Sequence, residues 1–530
     1  MHTRLIQLNC GKLLQIFAIG LLLFTLPAFA AKPAAPSWEA QQSPGPSRAE
    51  LLATGLPLID LGFVEQNYLK ASNTQAQDRF GWSVAMDGNT LAVGALWEDG
   101  ASPGVNGDQE ATGANQSGAV YVFTWGGTAW SQQAYVKSSN PGLEDYFGQA
   151  VALSGDTLVV GCPREDSGTG DQEDNSVSSA GAVYVFTRTA GVWSQQAYLK
   201  ASNIDALDGF GWSVAIHGDT LVVGAHQEDS NATGVNGIQG NNSAADSGAA
   251  YVFTRSGETW SQQAYLKASN TDAGDKFGDV VAISGDTIVV GVALEDSSAT
   301  GVNGSQGNNS AADAGAAYVF TRSGETWSQQ AYLKASNTDA GDLFGFSVAI
   351  EADTLLVGAI REDSRFPEDE SNNQYTNSGA AYLFARSGDT WTQQTYLKAS
   401  NVQKSDNFGD KLGISGDMLV VSATGEASNA TGVDGDQLNN SIPNAGAVYV
   451  FALRDAAWSQ KAYLKQFPSG QGQDDFGASL AISGATVLVG ANTENSNSLG
   501  VNGDQVNILA LAAGAAYTFT ADLFFKDSYE

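Results

Sequence analysis

Carboxylates are the side chains with the most chemistry to offer in this 530-residue chain, which holds 57 acidic residues against 25 basic ones. Two of them recur at fixed places. An aspartate stands two positions before each of seven Phe-Gly dipeptides, as Asp78, Asp145, Asp208, Asp275, Asp342, Asp406 and Asp474. A glutamate follows a β-like segment in every copy, as Glu98, Glu165, Glu228, Glu295, Glu362, Glu426 and Glu494, with Asp next to it in five. Repeated acids of this kind suit cation binding or paired-carboxylate hydrolysis of glycosides. An Asp at a tight turn more commonly accepts backbone N–H bonds, and a pair present in every copy serves a fold better than it serves one active site.

Long loops after the glutamates add Asn, Asp and backbone carbonyls in close spacing, as in Asn106-Gly107-Asp108, Val302-Asn303-Gly304 and Val433-Asp434-Gly435-Asp436. These are hard oxygens of the type Ca²⁺ takes. Glu98, Asp99, Asn106 and Asp108 form the best candidate metal cluster, with Ca²⁺ the candidate ion. None of the loops has the full calcium-loop spacing with its distal glutamate, and Asn-Gly turns in a self-packed loop are the plainer reading.

Support for catalysis is thin. Beyond the N-terminal leader only His217 and His226 remain, both in the third copy, and they read as surface residues of a turn and a loop. No nucleophile elbow, His-based zinc motif or phosphate loop occurs in a supporting context. Three aromatics directly after Phe-Gly, namely Trp82, Trp212 and Phe346, break the repeat, because other copies carry Gln149, Asp279, Asp410 and Ala478 there. They are the candidate ligand-binding residues, able to pack beside a channel or to stack on a sugar.

These residues hang on a repeat of β segments. The Phe-Gly spacings are 67, 63, 67, 67, 64 and 68, and each copy holds four strand-like segments. In the third these are Trp212–Ile216, Thr220–Ala225, Ala249–Thr254 and Trp260–Ser269. The fourth ends on Tyr-Leu-Lys (Val once), six times after a Phe-Gly and once before the first, at Tyr68-Leu69-Lys70. The seventh copy lacks its own. A ring explains the orphan strand, which would complete the last blade, so the expected fold is an all-β, closed seven-bladed β-propeller of four-stranded blades. Strand-four tryptophans from Trp130 to Trp458 recur in register and read as structural.

The pattern Phe-Gly, Ser-Val-Ala, Val-Val-Gly-Ala and Gly-Ala-Val-Tyr-Val-Phe resembles the FG-GAP repeats of the integrin α-chain propeller and its bacterial secreted relatives. The resemblance covers residues 63–525 and implies an extracellular binding propeller, often for proteins or matrix and often carrying calcium. In that family pattern calcium sits between strands one and two. Here that connection is as short as Asp87-Gly88-Asn89, too short to wrap a Ca²⁺ ion.

The first 30 residues place Arg4 and Lys12 before an apolar run, Leu13–Leu26, and end in Ala28-Phe29-Ala30, the pattern of a secretory signal peptide. Residues 31–62 read as a Pro/Ala/Ser-rich spacer, 63–525 as the propeller and 526–530 as a tail. Losing the two basic residues of the signal takes the net charge from −32 to −34 and leaves Cys162 as the only thiol, so no internal disulfide is available. Such an acidic surface repels nucleic acid and anionic lipid. The expectation is a secreted, non-enzymatic binding or adhesion protein, monomeric, that recognises a protein or glycan through loops on one face. The alternatives are a carbohydrate-active propeller enzyme and a purely structural scaffold. The export reading leaves periplasm and exterior both open. Copies three and four share 28 consecutive identical residues, so specificity is expected where copies diverge, at 361–378 and 506–513.

Overall fold

Each repeat folds because its apolar residues suit strands buried on both faces. Runs such as Thr287–Val292 (TIVVGV) are wholly buried, while the first and fourth strands of a blade alternate and face partly outward. The computed structural model describes residues 62–366, 369–467 and 474–522. Within them lie 28 strands in seven four-stranded antiparallel sheets. The third blade comprises Ser213–His217, Thr220–Ala225, Ala249–Ser256 and Thr259–Leu266. Its fourth strand stops three residues before the expected end, where Lys267 turns inward.

Closure takes the expected form. The sheet built from Phe476–Ser483, Thr486–Ala491 and Ala515–Asp522 is completed by Gly62–Leu69, which pairs antiparallel with Ala515–Asp522, Tyr68 opposite Tyr517. Each innermost strand touches those of both flanking blades, and the seventh touches the first. The hydrophobic cores lie between blades. One gathers Val252 and Leu266 of blade three with Phe277, Ile288 and Tyr318 of blade four, and another joins Leu69, Leu488 and Ala516 to Phe80 and Tyr121 across the seam.

The Phe-Gly dipeptide sets this packing. Phe277 meets Tyr318 and Phe320 at centroid distances of 5.6 and 6.1 Å, in edge-on geometry. Gly278 has φ +91°, and a Cβ there would collide with the Ala249 carbonyl oxygen of the preceding blade. Only glycine allows that approach. Further out, the strand-four tryptophans tie blade to blade: the Trp327 indole N–H donates to Gln263 Oε1 of the preceding blade at 2.8 Å. The signal peptide, most of the spacer, residues 523–525 and the tail lie outside the described residues.

Candidate functional site

Strand two ends and strand one begins at the same rim of the ring, so the repeated glutamates and aspartates of each blade come together there, as their sequence positions predict. In blade four, Glu295 Oε2 accepts hydrogen bonds from Lys334 Nζ at 2.9 Å and the Ser297 backbone N–H at 3.1 Å. Its Oε1 accepts from the Tyr332 hydroxyl at 2.8 Å and Asn270 Nδ2 at 2.9 Å. All seven glutamates pair with the Lys of a Tyr-x-Lys strand end at 2.8–3.0 Å, and no side chain in these pairs is more than 7% exposed. Burial pulls the lysine pKa values down and the glutamates pull them back. The partner aspartates are buried too. Asp275 Oδ2 accepts the Asp272 backbone N–H, and burial pushes its carboxyl up to about 8.

These fourteen acids therefore add little charge to the surface of that rim. They sit beneath the rim as counter-ions and turn caps. The four candidate metal ligands each accept a hydrogen bond from within the protein, with Glu98 buried, Asp99 half-buried, and Asn106 and Asp108 exposed. Glu98 binds Lys137, Tyr135, Asn73 and the Gly100 N–H. Asp99 Oδ1 accepts the Gln116 N–H at 2.8 Å. Asn106, at φ +56°, has its Oδ1 on the Tyr135 N–H at 3.0 Å, pinning the outer strand. Asp108 Oδ1 accepts the Glu110 N–H at 3.1 Å. Among the described residues no group of three or more His, Cys, Asp or Glu is arranged to hold a metal ion. The strand one–two connections are two residues long, as between Phe80–Asp87 and Thr90–Ala95, so calcium does not fit there either.

The three aromatics do converge. Trp82, Trp212 and Phe346 line one cavity of about 830 Å³ at the axis, at the rim that carries the long loops. The residues at the same position in the other blades, Gln149, Asp279, Asp410 and Ala478, complete the ring. The acids here are individually partnered. Lys411 Nζ is 2.5 Å from Asp410 Oδ1 and 5.2 Å from the Phe346 ring centre. The Thr424 hydroxyl donates to Asp410 Oδ2 at 2.5 Å. Asp279 is raised by burial and steadied by the Trp212 side chain and nearby Lys276 and Lys411. Asp475, also at the cavity wall, is raised by burial and hydrogen-bonded to Thr493, with Arg79 close by.

A family model described as the FG-GAP repeat matches residues 63–123, 130–186, 193–253, 260–320, 327–384 and 391–451. The chain belongs to the FG-GAP repeat family. No curated protein matches it. Each matched FG-GAP segment starts in the outer strand of one blade and runs through three strands of the next, so the permutation that closes the ring is built into the unit. Three strands of the seventh blade, Phe476–Ser483, Thr486–Ala491 and Ala515–Asp522, come from residues outside the six matches, and its outer strand is the start of the first match.

Within this FG-GAP propeller, His217 is exposed at its turn, as expected, but His226 is not a surface residue. Its ring lies 4.1 Å from that of Trp212, and burial and Lys276 push its pKa down to about 4. Cys162 is free and buried. Two features escaped the sequence reading. The Lys–Glu pairs were visible only as two motifs each present once per blade. Lys411, Thr424 and Asn492 reach the axial cavity from positions that the Phe-Gly repeat does not mark, and Asp475 from the variable place just before Phe476.

Proposed function

We infer that this FG-GAP propeller is an exported, non-enzymatic binding protein that recognises an extracellular protein or glycan with the long-loop face of the ring. One observation carries this reading. The polar residues that repeat are consumed inside the blades, whereas side chains that differ from blade to blade are presented together at the axial mouth. Binding specificity needs a surface that is not seven-fold uniform. The leader at residues 1–30 supports export, and the propeller, with its lone thiol, depends on no disulfide in that setting.

Partnered acids at the mouth favour binding over hydrolysis, because a glycosidase needs one free carboxylate and one protonated carboxyl flanking a bond. No helix among the described residues is long and apolar enough to cross a membrane. The test is an array of immobilised polysaccharides and matrix proteins, run beside a reducing-end release assay. Saturable retention without release is the expected outcome. Release of sugar from any polysaccharide would overturn the non-enzymatic reading, and loss of all retention would overturn binding.

A further inference from the structure

The axial mouth has a composition that selects among ligand classes. Its cavity of about 830 Å³ falls in the range of about 300–1,000 Å³ usual for small-molecule sites. Three half-buried aromatic rings come from alternate blades, one, three and five, with polar side chains between them. A free organic cation would find no unpaired carboxylate: Asp410 is bound by Lys411 and Thr424, Asp279 by Trp212, and Asp475 lies beside Arg79. An anionic ligand would find the nearby cations already committed, Lys411 to Asp410 and Arg79 beside Asp475. What stays open to a ligand is the half-buried faces of the three rings, the half-buried Gln149 amide and the outer side of the Asp410–Lys411 pair, whose Lys411 side chain is 40% exposed.

We propose that the axial mouth binds a neutral pyranose. The C–H face of the sugar lies against Trp82, Trp212 or Phe346, and Gln149 and the Asp410–Lys411 pair exchange hydrogen bonds with its hydroxyls. Mixed donors and acceptors around aromatic faces match a ring of hydroxyls better than any singly charged group. This inference rests on the reading of the protein as a binding propeller and gives that reading a ligand class.

The test uses the full secreted chain, titrated by calorimetry and tryptophan fluorescence with cellobiose, maltose, lactose and chitobiose, and in parallel with tetramethylammonium and glucuronate. Saturable binding of at least one neutral disaccharide is expected, weakened at least tenfold in both Trp212→Ala and Gln149→Ala. Gln149 is half-buried on the cavity wall, so Gln149→Ala keeps the test valid if Trp212→Ala disturbs folding through His226. Binding of none of the four, binding of either ion instead, or binding indifferent to Gln149→Ala overturns the proposal. Retention of a polysaccharide or matrix protein with no disaccharide bound would sink this inference alone. Sugar binding with no retention of any macromolecule would sink the broader reading instead.

Discussion

Beneath the rim and at its axis, one scaffold handles charged side chains in opposite ways. Under blade four, Glu295 is enclosed by four donors; blades one and three repeat all four, and the lysine pair recurs in every blade. At the mouth, the residues after the seven Phe-Gly dipeptides run Trp, Gln, Trp, Asp, Phe, Asp, Ala, and the Asp410–Lys411 pair stays partly open to water. The difference teaches where to look for function in a repeat protein. Chemistry that recurs in every unit is spent on the fold, and chemistry that departs from the repeat is free to recognise something.

The comparison breaks most severely if the interior is opened. Starting the chain at Ala71 removes Phe63, Tyr68 and Leu69 from the cores, at about 1.5–3 kcal/mol each, and strands Glu494 without Lys70. Loss of the single cooperative melt, with association on size exclusion, is expected. An unchanged melting curve would mean that the ring does not need its closing strand. Lys267→Met should be next, because it leaves Glu228 buried and uncompensated, a loss of about 3–5 kcal/mol measured by urea unfolding.

A pH series separates the regions further. Asp275 is pushed from 3.8 to about 8, chiefly by burial, and its counterparts in the other blades to about 6–8. A carboxyl with a raised folded pKa holds more protons folded than unfolded between about pH 4 and 8, so stability falls as pH rises through that window. The melting temperature should therefore be higher at pH 5 than at pH 8, and Asp275→Asn should flatten part of the slope. A profile rising over this range would contradict the buried-acid account. At the mouth, Gln149→Ala and Asp410→Asn should change stability by no more than about 0.5 kcal/mol, since partly exposed pairs contribute little.

Much of the architecture is legible in the residues. The count of Tyr-Leu-Lys ends foretold both the ring and its seam, and the tight strand one–two turns were visible in runs such as Asp87-Gly88-Asn89. Strand ends were less legible: Lys267 looks like the solvated end of an outer strand, yet it points inward because a buried glutamate waits 39 residues away in the chain. Local patterning cannot show that a polar residue has a distant buried partner. The same limit hid His226, which is polar in sequence yet buried, with the ring of Trp212, just ahead of the neighbouring strand, packed against it. Nor could local patterning show that Asn106, a candidate calcium ligand by spacing, uses a left-handed backbone and its Oδ1 to pin the Tyr135 N–H. The aromatics at the mouth were found because they violate a repeat, and a violation is something a sequence can display.

The most direct test of the claim that the repeated acids are internal counter-ions is a double-mutant cycle on one blade, with Lys267→Met, Glu228→Gln and the double variant compared by urea unfolding. A Lys267–Glu228 coupling of about 2 kcal/mol or more is expected for a buried pair in direct contact. Additivity within about 0.5 kcal/mol would show that the two side chains act independently and would contradict the account.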